Sequence, residues 1–320
     1  MAIGALGRRA ALATGICGMI GGTAARAQGT TPRRSAAEAT RDANFGTLGM
    51  ISGGVDGTYI RIATDLAAVL DDGDYLRILP VVGKGSLQNI SDLLYVRGID
   101  IAIVQSDVMA AATRDRLFPG VGQLVQYVAK LYDEEFHVLA RRDIEQVEDL
   151  AGQPVNVDLR GSGTAMTASL VFGSLGVAVE AVHAPQDLAL ERLRRGEIAA
   201  LVYVAGKPTR LFGGVRADEG LHLLSLPLAP QLLQTYLPAS IEHADYPNLV
   251  AEDRPVQTVA VGAVLAVYAW KPGTERHGKL LRFLERFNQK FPELLQPPRH
   301  PKWREVTLSA QVPGWTRFKP

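Results

Sequence analysis

Cysteine is almost absent from this sequence, which has only Cys17 among its 320 residues. Cys17 lies in an N-terminal segment, residues 1–27, that we expect to be cleaved off. The remaining chain would then have no thiol, which excludes a disulfide framework, a thiol nucleophile and a zinc–thiolate site. Neither positive nor negative charge is in large excess, since the sequence has 34 basic and 33 acidic residues. The broad basic surface of a nucleic-acid-binding protein is therefore not expected.

Common catalytic and nucleotide-binding motifs are also missing. The sequence contains no G-x-S-x-G, no G-x-x-x-x-G-K-[ST] and no G-x-G-x-x-G. Its six histidines are scattered, with none at the H-x-x-x-H spacing of a metal site. The acidic pairs Glu134-Glu135 and Asp71-Asp72 are expected to be solvent-exposed charges rather than an acid–base pair. These absences predict a protein that is not an enzyme and has no cofactor or metal ion.

Residues 1–27 contain the three parts of an export signal in the right order. Arg8 and Arg9 form a short basic start, a charge-free run of small and apolar residues follows, and Ala25-Arg26-Ala27 matches an A-x-A cleavage site. The general secretory route and the twin-arginine route both remain open. No later run reaches the roughly 18 apolar residues of a membrane span. We therefore expect a soluble periplasmic protein after cleavage.

From Phe45 onward, short apolar runs alternate with helical patterns, which is typical of βαβ units and parallel sheets. The pattern occurs twice and predicts an α/β protein of two lobes that follows a flexible leader. The long apolar segments 124–141 and 256–270 are expected to connect the lobes. The expected boundaries are 28–44 for the leader, 45–138 plus about 250–320 for lobe I, and 139–249 for lobe II.

Four loops rich in glycine or serine each lie between a strand and a helix. They are Gly53-Gly54-Val55-Asp56-Gly57, Gly83-Lys84-Gly85-Ser86, Gln105-Ser106-Asp107 and Gly161-Ser162-Gly163-Thr164. The first N–H groups of a helix lack internal partners, and the peptide dipoles leave partial positive charge there. Such loops therefore favour a small bound anion. Taken singly, each loop has a simpler structural explanation, as a tight turn or as a serine that caps its own helix.

These motifs, in this order, resemble those of the TAXI family (TRAP-associated extracytoplasmic immunogenic), the solute receptors of one branch of tripartite ATP-independent transporters. The resemblance extends from about Thr47 to Trp270. The matching motifs are Gly53-Gly54-Val55-Asp56-Gly57-Thr58-Tyr59, Gly85-Ser86-Leu87-Gln88-Asn89, a strand ending in Gln105-Ser106-Asp107, the turn Asp149-Leu150-Ala151-Gly152, the loop Gly161-Ser162-Gly163-Thr164, and Gly206-Lys207-Pro208.

The resemblance implies a two-lobed, type II periplasmic-binding-protein-like fold, each lobe a mostly parallel sheet flanked by helices. Such a receptor would hold a small anionic organic solute (a dicarboxylate, a 2-oxoacid or an amino acid such as glutamate) between its lobes. Lys84 and Arg160 border the loops and are candidate charge anchors, although both are equally explained as solvated surface residues. The candidate ligand contacts are Gly54, Thr58, Tyr59, Ser86, Asn89, Gln105, Ser106, Gly161, Ser162, Gly163, Thr164 and Tyr203.

Partners and function follow from the same resemblance. It implies a monomer that delivers its solute to the membrane subunits of a TRAP transporter and binds no nucleic acid. Two alternatives remain: a receptor for an ABC importer or a sensor kinase, and an enzyme of this fold whose acid or base is Asp56, Asp107 or Asp158. Asp56 and Asp158 stand where the family usually has glycine, and Ala199 replaces a usual aspartate, so the identity of the solute stays open.

Overall fold

The apolar runs of the sequence form the strands of one mixed ten-stranded sheet in the described part of the chain. The computed structural model describes residues 35, 36, 38, 44–55, 57–73 and 75–320. The strands are β1 (Thr47–Ile51), β2 (Arg77–Val81), β3 (Ile99–Gln105), β4 (Val125–Arg141), β5 (Pro154–Asn156), β6 (Glu180–Val182), β7 (Ala200–Ala205), β8 (Leu221–Leu223), β9 (Leu237–Ile241) and β10 (Val256–Tyr268).

Six helices of more than one turn accompany these strands in the same residues. They are α1 (Thr58–Leu70), α2 (Ser86–Tyr95), α3 (Ser106–Arg114), α4 (Gly163–Leu175), α5 (Gln186–Arg194) and α6 (Glu275–Leu294). Single helical turns occupy Val121–Leu124 and Arg210–Gly213, and short 3₁₀ turns occupy Val147–Leu150, Ala217–Glu219 and Pro301–Glu305. No helix of the described residues is long and apolar enough to cross a membrane.

Strands β4 and β10 are the longest and lie side by side, antiparallel, in the middle of the sheet. The sheet order is β2-β1-β3-β10-β4-β7-β5-β6, with β8 on β4 and β9 on β10. Both strands are buried along nearly their whole length, which explains why their sequences are largely apolar. The long segments predicted to connect the lobes are therefore extended strands shared by both.

A parallel group of strands flanks this central pair on each side, and the two groups define the two lobes predicted from the sequence. In the first lobe β1 pairs in parallel with β2 and β3. In the second lobe β5 pairs in parallel with β6 and β7. Helices α1, α2, α3 and α6 pack on the first group, and α4 and α5 on the second. Apolar cores lie on both faces of each group, so each lobe has three layers.

Several element boundaries differ from the sequence patterns. The apolar runs after Gln153 and after Gly176 predict strands of about six residues, but β5 and β6 have three each. The extended chain after β5 ends at Asp158, whose φ of +69° is left-handed. The predicted export signal lies outside the described residues, and so does most of the predicted leader, 28–44.

Candidate functional site

One cavity lies where the N-terminal ends of five helices converge. It is lined by the starts of α1 and α2, by Gln105 at the start of α3, and by the starts of α4 and α5. Its volume is about 160 Å³. The cavity therefore suits a small metabolite rather than a drug-sized ligand, which needs about 300 Å³ or more.

Four of these five helices begin without a side-chain cap. The N-cap residues of α1, α2, α3 and α5 are Gly57, Gly85, Gln105 and Pro185, and none of their side chains accepts a hydrogen bond from its own helix. The N-cap side chains thus leave the helix ends uncapped, although in α2 the Gln88 N–H donates to the Gly161 carbonyl instead. The helix dipoles at these ends favour a negatively charged solute. Each end contributes only about 0.3–1 kcal/mol when exposed, so their convergence matters more than any one of them.

Tyr59, Ser86 and Gln105 form a chain of hydrogen bonds in the cavity wall. The Ser86 hydroxyl donates to Gln105 Oε1 at 3.1 Å and accepts from the Gln105 backbone N–H at 2.8 Å. The Tyr59 hydroxyl lies 3.4 Å from Ser86 Oγ. Ser86 is buried within α2 rather than at its N-cap. The helix-capping explanation of this serine is therefore wrong.

Nine of the fourteen residues singled out in the sequence lie in the cavity lining. These are Gly54, Thr58, Tyr59, Lys84, Ser86, Gln105, Gly163, Thr164 and Tyr203. The two lobes also touch each other around them. The Thr58 hydroxyl donates to the Gly206 carbonyl at 3.1 Å, and the Gln88 N–H donates to the Gly161 carbonyl at 3.1 Å. The lining residues thus come from both lobes.

The other five residues do not line the cavity. Asn89 is buried and donates to the carbonyl oxygens of Ser52 and Ile103, so it ties β1 to β3. Ser162 caps α4 by accepting from the Ala165 N–H at 3.1 Å, as the helix-capping alternative predicts. The remaining three, outside the lining, are Ser106, Gly161 and the exposed Arg160.

Glu134 is a cavity residue that the sequence reasoning missed. The expectation that Glu134 and Glu135 are solvated is wrong, because they are only 3% and 4% exposed. Glu134 lines the cavity, and its Oε2 accepts a hydrogen bond of 2.6 Å from the Tyr59 hydroxyl. Burial raises the pKa of the Glu134 carboxyl well above its usual 4.5, and the Tyr59 hydrogen bond opposes this only in part. A signal was present, since Asp133, Glu134 and Glu135 form an acidic run within a largely apolar segment.

The cavity has more acidic than basic side chains among its described residues. Lys84 is its one basic residue, and Lys84 is exposed at the rim, while Glu134, Asp158 and Asp187 also line it. Burial raises the pKa of Asp158 to about 6. Asp56 lies outside the described residues. The side-chain charges of the lining therefore do not favour an anion, and the feature of the cavity that does is its helix N-termini.

Asp107 joins the two lobes without lining the cavity. It lies on α3 of the first lobe, and its Oδ2 accepts from the Thr167 hydroxyl on α4 at 2.9 Å and from the Tyr236 hydroxyl at 3.2 Å. Burial raises the pKa of Asp107 to about 6 from its ordinary 3.8. The stabilising effect of its proton is complete below about pH 4 and is lost as the pH rises through 6.

Replacing Asp107 with asparagine is therefore expected to stabilise the protein at neutral pH. A gap of about two pKa units corresponds to about 3 kcal/mol, which the neutral amide retains at every pH. Urea unfolding should give nearly equal free energies for variant and wild type at pH 4, and a variant more stable by about 3 kcal/mol at pH 8. A difference that does not change with pH would contradict this account.

A family model described as the NMT1-like family matches residues 50–273 of this chain. The chain belongs to the NMT1-like family. The matched residues include all five helix starts and both central strands, so the family resemblance covers the whole cavity. Within the described part of this NMT1-like protein, no group of three or more His, Cys, Asp or Glu side chains is arranged to hold a metal ion.

Solved structures share the fold of this NMT1-like protein. The alkanesulfonate-binding protein SsuA from Xanthomonas axonopodis pv. citri, bound to MOPS, has a TM-score of 0.50 at 14% identity, over 78% of this chain and 74% of that one. The amino acid ABC transporter substrate-binding protein AbpA from Streptococcus pneumoniae, bound to L-arginine, has a TM-score of 0.45 at 14% identity. That match covers 81% of this chain and 95% of AbpA. The predicted two-lobed, type II periplasmic-binding-protein-like fold is confirmed.

Proposed function

We propose that this protein is an extracytoplasmic solute receptor of the TAXI kind, without enzymatic activity. It captures a small solute that carries a carboxylate and delivers it to the membrane subunits of a TRAP-type transporter. The observation that carries the proposal is the convergence of five helix N-termini, four of them without side-chain caps, on one cavity of about 160 Å³. Micromolar affinity requires about 8 kcal/mol, and several such ends together can supply much of it in a closed, water-poor cleft.

The proposal includes a mechanism of closure. We take lobe I to be residues 45–138 with about 250–320, and lobe II to be residues 139–249. The contacts that Gln88 makes with Gly161, and Thr58 with Gly206, would form when the lobes close over the solute. Closure changes the outer shape of the receptor, which is the signal that a membrane partner can read.

Binding of a small carboxylate is expected to raise the melting temperature. A ligand at 100 times its Kd stabilises the folded state by about 2.7 kcal/mol, which corresponds to several degrees for a protein of this size. The measurement is a thermal-shift screen of the cleaved protein against organic acids and amino acids, after unfolding and refolding to remove any bound solute. Stabilisation by none of them would contradict the proposal.

The transporter type needs a separate experiment. Purified TRAP-type membrane subunits in liposomes should take up the identified solute only when the receptor is added. ABC-type subunits that support uptake with this receptor instead would favour the ABC alternative.

A further inference from the structure

A buried carboxyl group faces the cavity, although the helix ends there favour a negatively charged solute. Binding of a solute carboxylate alone does not explain why this carboxyl group is present. Glu134 lies on β4, the central strand shared by the lobes, and only 3% of it is exposed. Isolated buried carboxylates are costly, and proteins retain them when they are paired. Among the described residues, no cation lies within ion-pair distance of Glu134. Its neighbours are the Tyr59 hydroxyl, the acids Glu135 and Asp107, and Lys302, which lies beyond ion-pair distance.

The two oxygens of Glu134 have different surroundings. Oε2 accepts the 2.6 Å hydrogen bond from Tyr59. Oε1 accepts no hydrogen bond from the side chains or backbone of the described residues, yet the residue lines the cavity. A nearly fully buried carboxyl group with one oxygen unused at the edge of a cavity is suited to a donor on the bound solute.

We propose that Glu134 selects solutes that carry an ammonium group, so that the receptor takes an α-amino acid or a related zwitterion rather than a dicarboxylate or a 2-oxoacid. The inference rests on the proposed function above. The solute carboxylate would lie against the helix N-termini, and its ammonium group against Glu134 Oε1. Tyr59 holds the carboxyl in place by donating to Oε2, and its own proton stays on the phenol oxygen.

The same contacts predict a movement of protons. Burial, and then the neighbouring Glu135 and Asp107, raise the pKa of Glu134 in the empty cavity and so favour its protonated form, while Lys302 opposes them. When an ammonium group binds, Glu134 loses its proton to solvent and pairs with the cation as a carboxylate. Binding of an amino acid at neutral pH should therefore release up to one proton. Binding of the corresponding acid without the amine should release none.

The test compares each standard amino acid with its deaminated carboxylic acid and its 2-oxoacid, by titration calorimetry in buffers of different ionisation enthalpy. For the amino acid that binds most tightly, the wild type is expected to have at least about tenfold higher affinity than for the matching deaminated acid or 2-oxoacid. Binding of that amino acid should release protons. Glu134→Gln should lower the affinity for that amino acid by at least about 30-fold, since it removes one partner of a buried charge pair. The same variant should bind the deaminated acid with an affinity within about threefold of the wild-type value, and its binding of the amino acid should release no proton.

Asp133→Asn is the matched control, because it removes a carboxylate from the neighbouring position of the same strand, where the side chain pairs with Lys130 and does not line the cavity. It should leave both affinities and the proton release unchanged. Two results would overturn the role of Glu134 and leave the receptor function standing. One is wild-type binding of the deaminated acid as tightly as the amino acid or more tightly. The other is a Glu134→Gln variant whose affinity for the amino acid equals that of the wild type. Wild-type binding of no member of any pair would overturn the proposed function as well.

Discussion

Replacing Gly163 with alanine is expected to abolish solute binding. Gly163 begins α4 in the second lobe, and a β-carbon there would overlap Gln105 Oε1 and lie 2.8 Å from Ser86 Oγ, both in the first lobe. Gln105 has little room to move, because it is 2% exposed and accepts a hydrogen bond from Ser86. The lobes must therefore separate at the cavity, which moves apart the lining residues that the two lobes contribute. Calorimetric titration with the identified solute measures the loss.

The control for this variant lies in the same helix. A β-carbon on the exposed Gly173 would meet no atom within 4 Å, so Gly173→Ala should bind normally and be more stable by about 0.5–1 kcal/mol, because alanine is the better helix former. Thermal unfolding without solute should show that both variants fold. Normal affinity in Gly163→Ala would mean that the contact between the lobes is irrelevant to binding.

Replacing Lys302 with methionine is expected to lower the free energy of unfolding by about 3–5 kcal/mol, because it leaves the buried Glu135 without its cation. The Lys302 side chain is 2% exposed, and its Nζ lies 2.8 Å from Glu135 Oε1 and 2.9 Å from Glu305 Oε1. Burial alone would lower the pKa of Lys302, but these two carboxylates raise it further than burial lowers it. Urea unfolding measures the loss.

The double variant Lys302→Met/Glu135→Gln separates the ion pair from simple packing. It leaves no buried charge, and the glutamine oxygen can still accept the hydrogen bond of 3.0 Å from the Lys207 backbone N–H. Most of the lost stability should return, since neutral replacements of buried ion pairs are often harmless. A double variant as unstable as the single one would show that the methylene chain of Lys302, packed near Tyr132 and Gly206, contributes more than its charge.

The fold was predictable from the sequence because its elements keep their hydrophobic periods. The spacing of Tyr59, Ile62 and Leu66 marks the buried face of α1, and all three are buried. The long, largely apolar segments of β4 and β10 mark strands that are covered on both faces. The short strands β8 and β9 were not predicted, because three to five residues are too few to show a period.

The candidate site was only partly predictable. Glycine and serine at strand-to-helix junctions identify the starts of four helices, and all four border the cavity. The fifth start, Pro185-Gln186, has neither residue type, and it was not predicted to line the cavity. Glu134 was missed for a different reason: on a strand buried on both faces, alternation does not separate a cavity-facing carboxylate from a solvent-facing one. Position within the three-dimensional sheet decides its role.

The first lobe is assembled from two distant stretches of the chain, and this has a consequence for how the protein folds. Strand β3 pairs with β10, and α1 shares a core with α6 and Trp303. While a ribosome or an export channel releases the chain from its N-terminus, β3 has an unpaired edge and α1 an uncovered apolar face until residues 256–306 emerge. Such distant pairing makes folding slow and leaves aggregation-prone surface exposed in the meantime. A chaperone that holds the emerging chain would shield this surface over that interval.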